Sequence, residues 1–428
     1  MTSAPLRAEA LLAGLTDEQA AFAEAVAPAV CCIAAAGSGK TAALAARVVH
    51  LVRFRGVAPQ RVRVFVFTRA ARNEIARRVA SVLGGEVADR IDVTTFHTFA
   101  ARVVLRDVPA AELATDELAE TYLRSLYEGP LRRKGLPGIS AVRAGIVAYE
   151  ADGFEDDDVR RAVGILLGRM EETGAIPLWD LLPRCDALLE EPDFADAWQV
   201  DHVLVDEAQD VTRREERIAR RVGRFFAAVS DPRQSIMGFR GARGMCALKP
   251  FDTAPDADHH HLTRSFRFGA EIAAYANAIA ERLGYGPCSG DPGQEDAVGL
   301  NLTHDHVVGH LKGRESGAAI LCRTHDECEL AERQLSNLGL RVYYAGRAED
   351  RGTGVDPFSA AGDRAVIATI HAAKGREWDT VYLPSSDVFP RDFADLSVLY
   401  VAVTRARSLL LLGALRDWRD VNLPGAPF

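Results

Sequence analysis

The sequence predicts an α/β fold in which parallel sheets are covered on both faces by helices. Two observations support this prediction. Short apolar runs recur along the chain, and each is followed by a stretch with helical spacing, which is the alternation typical of parallel sheets. The chain also has 428 residues, of which 48% are hydrophobic and 26% charged, so it has the length for two or three ordinary globular domains.

Eight apolar runs are predicted to be the strands of these sheets. Each is short and rich in aliphatic or aromatic residues, as strands buried on both faces are. The runs are VCCIAAA (30–36), RVRVFVFT (61–68), HVLVDEA (202–208), FFAAVSD (225–231), AAILCRT (318–324), AVIATIH (365–371), TVYLP (380–384) and SLLLLGA (408–414).

Other stretches have a different character. Residues 101–200 contain helical segments and little strand signal, so we predict a helical insertion there. The compositions of 251–261 and 286–297 are typical of linkers. The runs EDDD (155–158) and HHH (259–261) contain metal-ligating residue types. A solvated loop or helix start explains the first run better, and an extended chain with alternating side-chain directions explains the second.

Charge and cysteine content argue against several classes of protein. The net charge of −9 argues against a surface that binds nucleic acid everywhere, although a local basic groove is compatible with it. The seven cysteines include no C-x-x-C pair, so neither a disulfide framework nor a zinc or iron–sulfur site is predicted. We find no secretory signal and no apolar run of 18 residues, and we therefore expect a cytoplasmic protein.

The stretch AAAGSGKT, residues 34–41, has the pattern of a phosphate-binding loop, with alanine in place of the usual first glycine. Gly37 and Gly39 give the backbone the freedom to curl its N–H groups around phosphates. Lys40 can place a positive charge between two phosphates, and Thr41 can offer its hydroxyl to Mg²⁺. A simple turn between a strand and a helix is the alternative interpretation.

The stretch VLVDEAQD, residues 203–210, places two carboxylates after a predicted strand. Ligands of open α/β folds bind at this edge of the sheet. Asp206 could hold Mg²⁺ through water, and Glu207 could orient or deprotonate an attacking water molecule. Alternatively, the pair is only the first turn of a helix, where acidic residues are favoured.

From residue 15 to residue 407 the chain carries an ordered series of motifs that resembles superfamily 1 helicases of the UvrD/Rep/PcrA type. Besides the two stretches above, they are LTDEQ (15–19), FTRAARNEI (67–75), TTFHTFA (94–100), SDPRQSIMGFRGA (230–242), LTRSFR (262–267), TIHAAKGREWD (369–379) and LYVAVTRAR (399–407). The resemblance implies tandem RecA-like P-loop NTPase domains. The first would span 1–100 and 201–252, the helical insertion domain 101–200, and the second motor domain 253–428.

The resemblance also implies ATP and Mg²⁺ as cofactors, bound in a cleft between the motor domains. Gln19 would read adenine, although with Thr16 it also fits a helix capping box. Phe266 would stack on adenine, and Glu377 would accept a hydrogen bond from the ribose. The implied nucleotide-binding residues are Gln19, Ala36, Gly37, Ser38, Gly39, Lys40, Thr41, Phe266, Arg267, Glu377 and Arg405.

The family assigns chemistry to a subset of these positions. Thr41 and Asp206 are the implied metal ligands. Gln234 would sense the terminal phosphate, and Arg405 would be an arginine finger. The implied catalytic residues are Glu207, Lys40, Gln234, Arg267 and Arg405.

Single-stranded or tailed duplex DNA is the implied polymer, with travel in the 3′-to-5′ direction. Phe239 would stack on a base, and His371 would lie near the strand. The implied DNA-binding residues are Phe67, Thr68, Arg69, Thr95, Phe96, His97, Phe239, Arg240 and His371.

Several positions depart from the family pattern. Phe239 stands where relatives usually have tryptophan, and Phe266 lacks a tyrosine hydroxyl. Arg376 and Trp378 replace an aliphatic residue and a phenylalanine. Relatives also carry a further domain ahead of the TIHAAKG motif, but here the motif's Thr369 lies only 46 positions after the RT dipeptide that begins at Arg323, too few for a domain of about 100 residues. The resemblance therefore implies a translocase with poor unwinding of its own.

Two other functions remain open from the sequence. One is a DNA-sensing regulatory NTPase subunit that serves a partner nuclease or accessory protein, in DNA repair or in Gabija-like antiphage defence. The other is a small-molecule P-loop kinase, against which the LTRSFR and VTRAR stretches argue because a kinase needs no second motor half.

Overall fold

The computed structural model describes residues 14–128, 137–154, 156–242, 257–346, 356–386, 388–415 and 417. Their contacts divide the chain into two compact units. Unit 1 comprises the described residues of Met1–Ile33, Lys40–Ser230 and Met237–His261. Unit 2 comprises Ala34–Gly39, Asp231–Ile236 and the described residues of Leu262–Phe428.

Unit 1 alternates strands and helices, as the sequence predicts. Its elements are α1 (Asp17–Glu24), β1 (Ala29–Ala34), α2 (Lys40–Arg53), β2 (Val62–Val66), α3 (Arg69–Leu83), α4 (Gly85–Ala88), β3 (Asp92–Thr95), α5 (Phe96–Asp107), β4 (Glu112–Ala114), α6 (Asp116–Glu128), α7 (Ile139–Ala151), α8 (Asp157–Glu171), β5 (Ala175–Pro177), α9 (Leu181–Leu188), α10 (Pro192–Asp196), β6 (Val200–Val205), α11 (Arg213–Val222), β7 (Gly223–Ser230) and β8 (Ala257–Leu262).

The main sheet of unit 1 has six strands in the order β3-β2-β6-β7-β1-β8. The β1–β7, β2–β3, β2–β6 and β6–β7 pairs are parallel. All five residues of β2 are buried, and its one charged residue, Arg63, pairs with Asp92 at 2.7 Å. Parallel pairing brings the carboxyl ends of β1, β2 and β6 to one edge of the sheet, where the predicted motifs follow.

Strand β8 corrects the predicted domain division. We assigned residues 253–428 to the second motor domain and 251–261 to a linker, but residues 257–262 form an edge strand of the first sheet. Its sequence, ADHHHL, is largely polar because most of its residues are only partly covered or exposed. The apolar pattern used to find strands therefore missed it. The boundary at 252 itself lies outside the described residues.

Within the predicted insertion lies a largely helical segment whose bounds differ from the predicted ones. Described residues between 114 and 175 pack around a hydrophobic core of their own, which includes Leu123, Leu166 and Met170. By contrast, α5, α9 and α10 contribute to the core beneath the main sheet, and the boundary at residue 100 falls inside α5. The predicted interval also contains a two-stranded parallel sheet of β4 and β5. The EDDD run begins α8, with Asp156 as its N-cap and residue 155 outside the described residues.

Unit 2 is a second parallel α/β unit. Its elements are α12 (Ala270–Arg282), β9 (Ala297–Gly299), α13 (His304–Leu311), β10 (Ala318–Cys322), α14 (His325–Asn337), β11 (Val342–Tyr344), β12 (Ala365–Thr369), β13 (Trp378–Leu383), α15 (Phe393–Val403) and β14 (Ala406–Leu412). The strands lie in the order β11-β12-β10-β13-β14-β9, and every neighbouring pair is parallel. The α/β fold class with parallel sheets is thus confirmed.

The span between β10 and β12 is short. Its described residues form α14 and β11, and residues 347–355 lie outside the described chain. A 3₁₀ turn at Ser359–Ala361 also lies in this interval, in which relatives of the resembled type carry an additional domain. Among the described helices, none has the length and the apolar character needed to cross a membrane.

Candidate functional site

The phosphate-loop motif has the conformation that its glycines predict. Gly37 and Gly39 adopt φ values of +73° and +77°. A Cβ atom added to Gly37 would lie 2.6 Å from both the Cβ of Arg267 and the Oγ of Ser265. The carbonyl of Gly37 also accepts a hydrogen bond from the backbone of Phe266 at 2.8 Å. Glycine is therefore required at this position by both backbone conformation and close packing.

Helix α2 begins at Lys40, directly after the loop. Helix N-termini present unpaired N–H groups and a positive dipole end, which favour bound anions. Lys40 adds a charge at this end, and that charge opposes the raised pKa of Asp206. The start of α2 and Lys40 therefore offer the N–H groups and the positive charge that bind phosphate, and the phosphate role remains a prediction.

Asp206, Glu207 and Asp210, which we call the acidic edge, follow strand β6. Asp206 is 3% exposed, and its backbone N–H donates to the carbonyl of Phe65 at 2.9 Å. Burial, reinforced by the charge of Glu207, raises the pKa of Asp206 to about 7. The acidic edge therefore carries negative charge that the protein's own cations balance only in part.

Glu207 is held in an unusual backbone conformation. Its φ of +48° lies in the left-handed region, and Asn301 is the only other non-glycine residue with positive φ in the described chain. Such strain clusters at functional sites. The Gln209 amide donates to the Glu207 carboxylate at 2.6 Å, and the Ser230 hydroxyl donates to the other end of Gln209 at 3.1 Å. The side chain of Glu207 is thus oriented as well as placed.

Gln209 and Ser230 were missed as site residues from sequence. Gln209 is fully buried and lies inside the DEAQD motif. The sequence interpretation of that motif rests on its two acidic residues, Asp206 and Glu207. Ser230 ends β7. The sequence carries no signal for the contacts of Gln209, because the burial that obliges Gln209 to hydrogen-bond is seen only in the folded structure.

The residues present fit Mg²⁺. The Thr41 hydroxyl and the Asp206 carboxylate are hard oxygen donors, and the acidic edge is short of positive charge. Among the described residues no group of three or more His, Cys, Asp or Glu side chains is placed to hold a metal. Mg²⁺ commonly takes only one or two carboxylates and keeps water and phosphate ligands, so a small protein donor set is the expected one.

Unit 2 brings Gln234, Lys374 and Arg405 together. Arg405 is 2% exposed and donates to the Gln234 side-chain oxygen at 2.9 Å and to the carbonyls of Val401 and Arg376 at 2.9 and 3.2 Å. The Gln234 amide nitrogen donates to Asp231 at 2.6 Å, and Lys374 donates to the Gln234 carbonyl at 2.7 Å. Gln234 is therefore fixed through both ends of its amide group.

Arg267 and Glu377 form a second part of this region. Arg267 donates to Glu377 at 2.6 Å and to the Thr404 carbonyl at 2.8 Å. Arg407 pairs with the other oxygen of Glu377. Burial would raise the pKa of Glu377, but the two arginines hold it below its ordinary value. We call Arg267, Arg405 and Arg407, with their acceptors Gln234 and Glu377, the arginine cluster. The ribose contact predicted for Glu377 remains a prediction.

Two predicted base-contacting residues have contrasting surroundings. Gln19 is 5% exposed and forms the capping box with Thr16 that the sequence offered as the alternative. Phe266 is 43% exposed, its ring lies 4.9 Å from the Arg264 guanidinium, and its backbone contacts Gly37. Phe266 is therefore a more accessible stacking platform, and the adenine role of Gln19 remains a prediction.

Several predicted DNA-binding residues lie together in unit 1. Phe67, Thr95, His97 and Arg240 line one small cavity, together with Phe96 and Glu215. The Arg240 guanidinium lies 5.8 Å from the centre of the Phe67 ring. The adjacent Phe239 is 67% exposed, as a base-stacking residue would be. Residues far apart in sequence thus form one continuous surface feature.

Phe96 differs from the other predicted DNA contacts in its burial, and its DNA role remains a prediction. It is 3% exposed and stacks on Phe65 with ring centres 4.1 Å apart, so its ring belongs to the core. It begins α5, and its ring turns towards the sheet because that helix buries one face. Sequence could not separate the inward from the outward residue at the junction of a strand and a helix.

The remaining predicted DNA contacts have structural partners. Thr68 and Thr95 cap α3 and α5 through their side chains. The His97 ring contacts the Glu150 carboxylate at 2.7 Å. Arg69 is exposed. In unit 2, burial lowers the pKa of the half-buried His371. Their DNA roles remain predictions.

A cavity of about 210 Å³ in unit 2 has none of these predicted residues in its lining. It opens at the carboxyl ends of β10, β12 and β13, and Arg323, Ile370 and Phe389 contribute to its walls. Ligands of parallel α/β sheets bind at such edges. None of the motifs singled out in the sequence predicted it.

Comparison with known protein families agrees with this geometry. The UvrD/REP helicase N-terminal domain matches residues 15–129 and 137–250, more than half of the chain. The chain belongs to the UvrD/REP helicase family. The UvrD-like helicase C-terminal domain matches residues 364–412, which contain β12, β13, α15 and β14.

Curated relatives of this UvrD/REP helicase family chain are named as ATP-dependent DNA helicases. PcrA of Leuconostoc citreum is 28% identical over 295 residues, covering 63% of this chain and 39% of the relative. Rep of Salmonella typhimurium is 25% identical over 425 residues, covering 88% and 61%, respectively. PcrA of Bacillus subtilis is 25% identical over 378 residues, covering 78% and 51%. The chain thus spans about two fifths to three fifths of the length of these relatives.

Proposed function

We propose that this UvrD/REP helicase family chain hydrolyses ATP with Mg²⁺ and couples hydrolysis to movement along single-stranded DNA. The observation that carries the proposal is the acidic edge, where Glu207 is strained and oriented beside the buried Asp206. A positioned acid on the same unit as Lys40 and the start of α2 suits phosphoryl transfer to water. The names of the relatives support ATP and DNA as the ligands.

The residues of unit 1 divide the work of hydrolysis. Lys40 and the N–H groups at the start of α2 bind phosphate oxygens. Glu207, oriented by Gln209, accepts a proton from the attacking water. Asp206 and Thr41 would hold Mg²⁺, which supplies charge neutralisation at the phosphates when bound.

The arginine cluster of unit 2 supplies charge for the transition state. Arg405 and Arg267 already have defined orientations, so little reorganisation is required when negative charge develops on the phosphate. To reach a phosphate, each must exchange a protein acceptor for a phosphate oxygen. Gln234 bonds to Arg405, so sensing of the terminal phosphate by Gln234 would act on the finger directly.

The DNA surface of unit 1 would bind a single strand by stacking and by charge. Phe239 offers an exposed ring, and Arg240 offers a guanidinium next to Phe67. His371 of unit 2 would contact the strand as well, as the resemblance implies. The resemblance also implies 3′-to-5′ travel, which we include in the proposal.

The test is phosphate release from ATP by the full chain, with and without single-stranded DNA, in wild type and Glu207→Gln. We expect DNA to stimulate wild-type turnover and the variant to lose about 10²- to 10⁴-fold, the usual contribution of a general base. Glu172→Gln, an exposed carboxylate at the end of α8, is the matched control and should behave as wild type. Equal turnover by wild type and Glu207→Gln would refute the assignment.

A second candidate is a DNA-sensing NTPase subunit with little unwinding of its own, serving a partner nuclease. The short span between β10 and β12 favours it, because the described residues there form only α14, β11 and one 3₁₀ turn (Ser359–Ala361). The discriminating measurement is whether turnover requires DNA ends and a partner protein. Strong stimulation by closed circular single strands, together with efficient displacement of long 3′-tailed duplexes, would exclude it.

A further inference from the structure

We infer that Arg376 is a positioning residue for Arg405, acting through an anchor segment formed by residues 356–361. The inference rests on the proposed function, because it concerns the arginine that would stabilise the transition state. Arg376 was singled out in the sequence as a departure from the family pattern, and the proposed function leaves it without a role.

The backbone of Arg376 contacts the finger. Its carbonyl accepts a hydrogen bond from Arg405 Nη1 at 3.2 Å. The other acceptors of Arg405 are the Val401 carbonyl, the Thr404 hydroxyl and Gln234. Two of these lie within four residues of Arg405 on the same chain segment, so Arg376 provides one of its distant restraints.

The side chain of Arg376 is fixed by the anchor segment. Its guanidinium lies 3.9 Å from the centre of the Phe358 ring, and its Nη2 donates to Asp356 at 2.7 Å. A planar guanidinium can stack on a ring while donating in its own plane. The two contacts therefore define both the position and the orientation of the Arg376 side chain.

The anchor segment is itself ordered by contacts within unit 2. The Phe358 and Trp378 ring centres are 6.0 Å apart, and both side chains pack against the hydrophobic core of the unit. Asp356 accepts hydrogen bonds from the backbones of Phe358 and Ser359 at 3.2 and 3.0 Å. Both departures from the family motif, Arg376 and Trp378, thus contact the same phenylalanine or approach it closely.

The consequence is a continuous set of contacts from the anchor segment to the finger. Phe358 and Asp356 hold the Arg376 side chain, which limits movement of the Arg376 peptide, and that peptide holds Arg405. Because the finger acts on charge that develops during reaction, loosening it lowers kcat and leaves ATP binding nearly unchanged.

A purely structural role predicts a different result. The Arg376 and Asp356 side chains are 38% and 46% exposed, and exposed ion pairs contribute little to stability. Replacing Arg376 should therefore leave the thermal midpoint nearly unchanged while lowering kcat. A residue that merely fastened the loop would lower stability and activity together.

The experiment measures ATP turnover and thermal unfolding of the full chain in Arg376→Ala, Phe358→Ala and the double variant. A misplacement of about 1 Å costs up to about 10²-fold in rate, and we expect roughly 10-fold in kcat with the KM for ATP within about twofold of wild type. The double variant should lose no more than Arg376→Ala, because both changes break one pathway. Arg376→Lys should recover part of the loss, since it keeps the charge but not the planar fork.

Arg160→Ala is the matched control. Its guanidinium also lies over an aromatic ring, 5.9 Å from the centre of Phe154, and pairs with the Asp157 carboxylate at 3.3 Å. Arg160 lies in α8 of unit 1, whereas the anchor segment and Arg405 belong to unit 2. We expect Arg160→Ala to retain wild-type kcat. An Arg376→Ala variant with wild-type kcat, or one indistinguishable from Arg160→Ala, would overturn the inference.

The inference and the proposed function fail in different ways. A wild-type chain that releases no phosphate from ATP would refute the proposed function, and the inference with it. An active wild type with an unaffected Arg376→Ala would refute the inference alone. In the Arg405→Ala background, Arg376→Ala should add no further loss, and a full additional loss would also overturn the inference.

Discussion

The acidic edge of unit 1 and the arginine cluster of unit 2 carry opposite charges, and the protein balances them to different degrees. At the acidic edge, burial and Glu207 raise the pKa of Asp206 to about 7 despite Lys40. In the arginine cluster, Arg267 and Arg405 donate to carboxylate, amide and carbonyl oxygens at 2.6 to 3.2 Å. The acidic edge is short of positive charge, whereas the arginines of the arginine cluster already have hydrogen-bond acceptors.

This difference suggests a division between binding and turnover. A region short of positive charge gains most from Mg²⁺ and from the cation beside it, so changes there should affect nucleotide binding and hydrolysis together. A region whose cations are already hydrogen-bonded gains only when a stronger acceptor develops, so changes there should affect turnover. The predictions below test this distinction.

Lys40→Ala should have the largest effect. The substitution removes a mobile cation from the start of α2 and the charge that opposes the raised pKa of Asp206. Phosphate release should fall to background, at least about 10³-fold, and ATP binding should weaken as well, because the phosphates lose a direct partner. Phosphate release and equilibrium binding of a fluorescent ATP analogue measure the two effects.

Lys312→Ala is the control for this change, since Lys312 is an exposed lysine of unit 2. It should match wild type in both measurements. Hydrolysis by Lys40→Ala at the wild-type rate would contradict the nucleotide assignment and, with it, the interpretation of the acidic edge.

Arg405→Ala should lower turnover by about 10³-fold, the lower end of the range for arginine fingers. Binding of ATP should remain near wild type, since the arginine meets the phosphate charge only as it develops. Because Arg405 is buried, its replacement can lower the stability of the fold, and the thermal unfolding of the variant should be measured alongside its kinetics. Arg405→Lys keeps the charge but loses the fork, and it serves as the second variant.

Arg341→Ala is a suitable control, because its side chain is 53% exposed and pairs with Glu315. Equal losses of ATP binding and turnover in a folded Arg405→Ala protein would remove the distinction between the two regions. The arginine would then belong to the ground-state binding site.

Much of the fold around the two charged regions could be predicted from sequence, because local sequence patterns indicate its strands and loops. The strand-loop-helix order around residues 34–41 and the apolar runs before Asp206 and after Arg405 each indicated a sheet edge. All eight predicted strands form, since near-continuous apolar runs have few other stable arrangements than a buried parallel strand.

The features that the sequence did not predict depend on tertiary contacts. Strand β8 is polar because it lies at a sheet edge, so its periodicity gave no signal. The packing of Phe96 on Phe65 in the core was likewise not visible from the sequence. The link from Gln209 to Glu207 and Ser230 joins β6 to β7, and no spacing along the chain encodes it.

Gln209→Ala sharpens the comparison within the acidic edge. It removes the hydrogen bond that orients Glu207 but leaves every charge of the edge in place. We expect kcat to fall about 10- to 10²-fold, the cost of a misplaced catalytic group, with the KM for ATP almost unchanged. The pH dependence of kcat should keep its shape, because no titrating group is lost.

Gln199→Ala controls for the loss of a glutamine, because Gln199 lies just before β6 and not in the DEAQD motif. It should retain wild-type kcat. A Gln209→Ala chain that loses ATP affinity as well as turnover would indicate that the glutamine shapes the phosphate site itself.

Phe239→Ala should have the smallest effect. It should weaken DNA binding without changing the functions of the acidic edge and the arginine cluster. Its ring is 67% exposed, so the substitution removes a stacking surface without opening the core. Single-strand binding should weaken by about 1 to 3 kcal/mol, the usual value for one stacked base, whereas hydrolysis without DNA should stay within about twofold of wild type. Fluorescence anisotropy of a labelled oligonucleotide measures the DNA affinity.

Phe225→Ala is the control, because Phe225 is also an exposed phenylalanine of unit 1, at 39%. If Phe239→Ala instead lowers basal hydrolysis as strongly as DNA affinity, then DNA binding and ATP hydrolysis are not separable within unit 1.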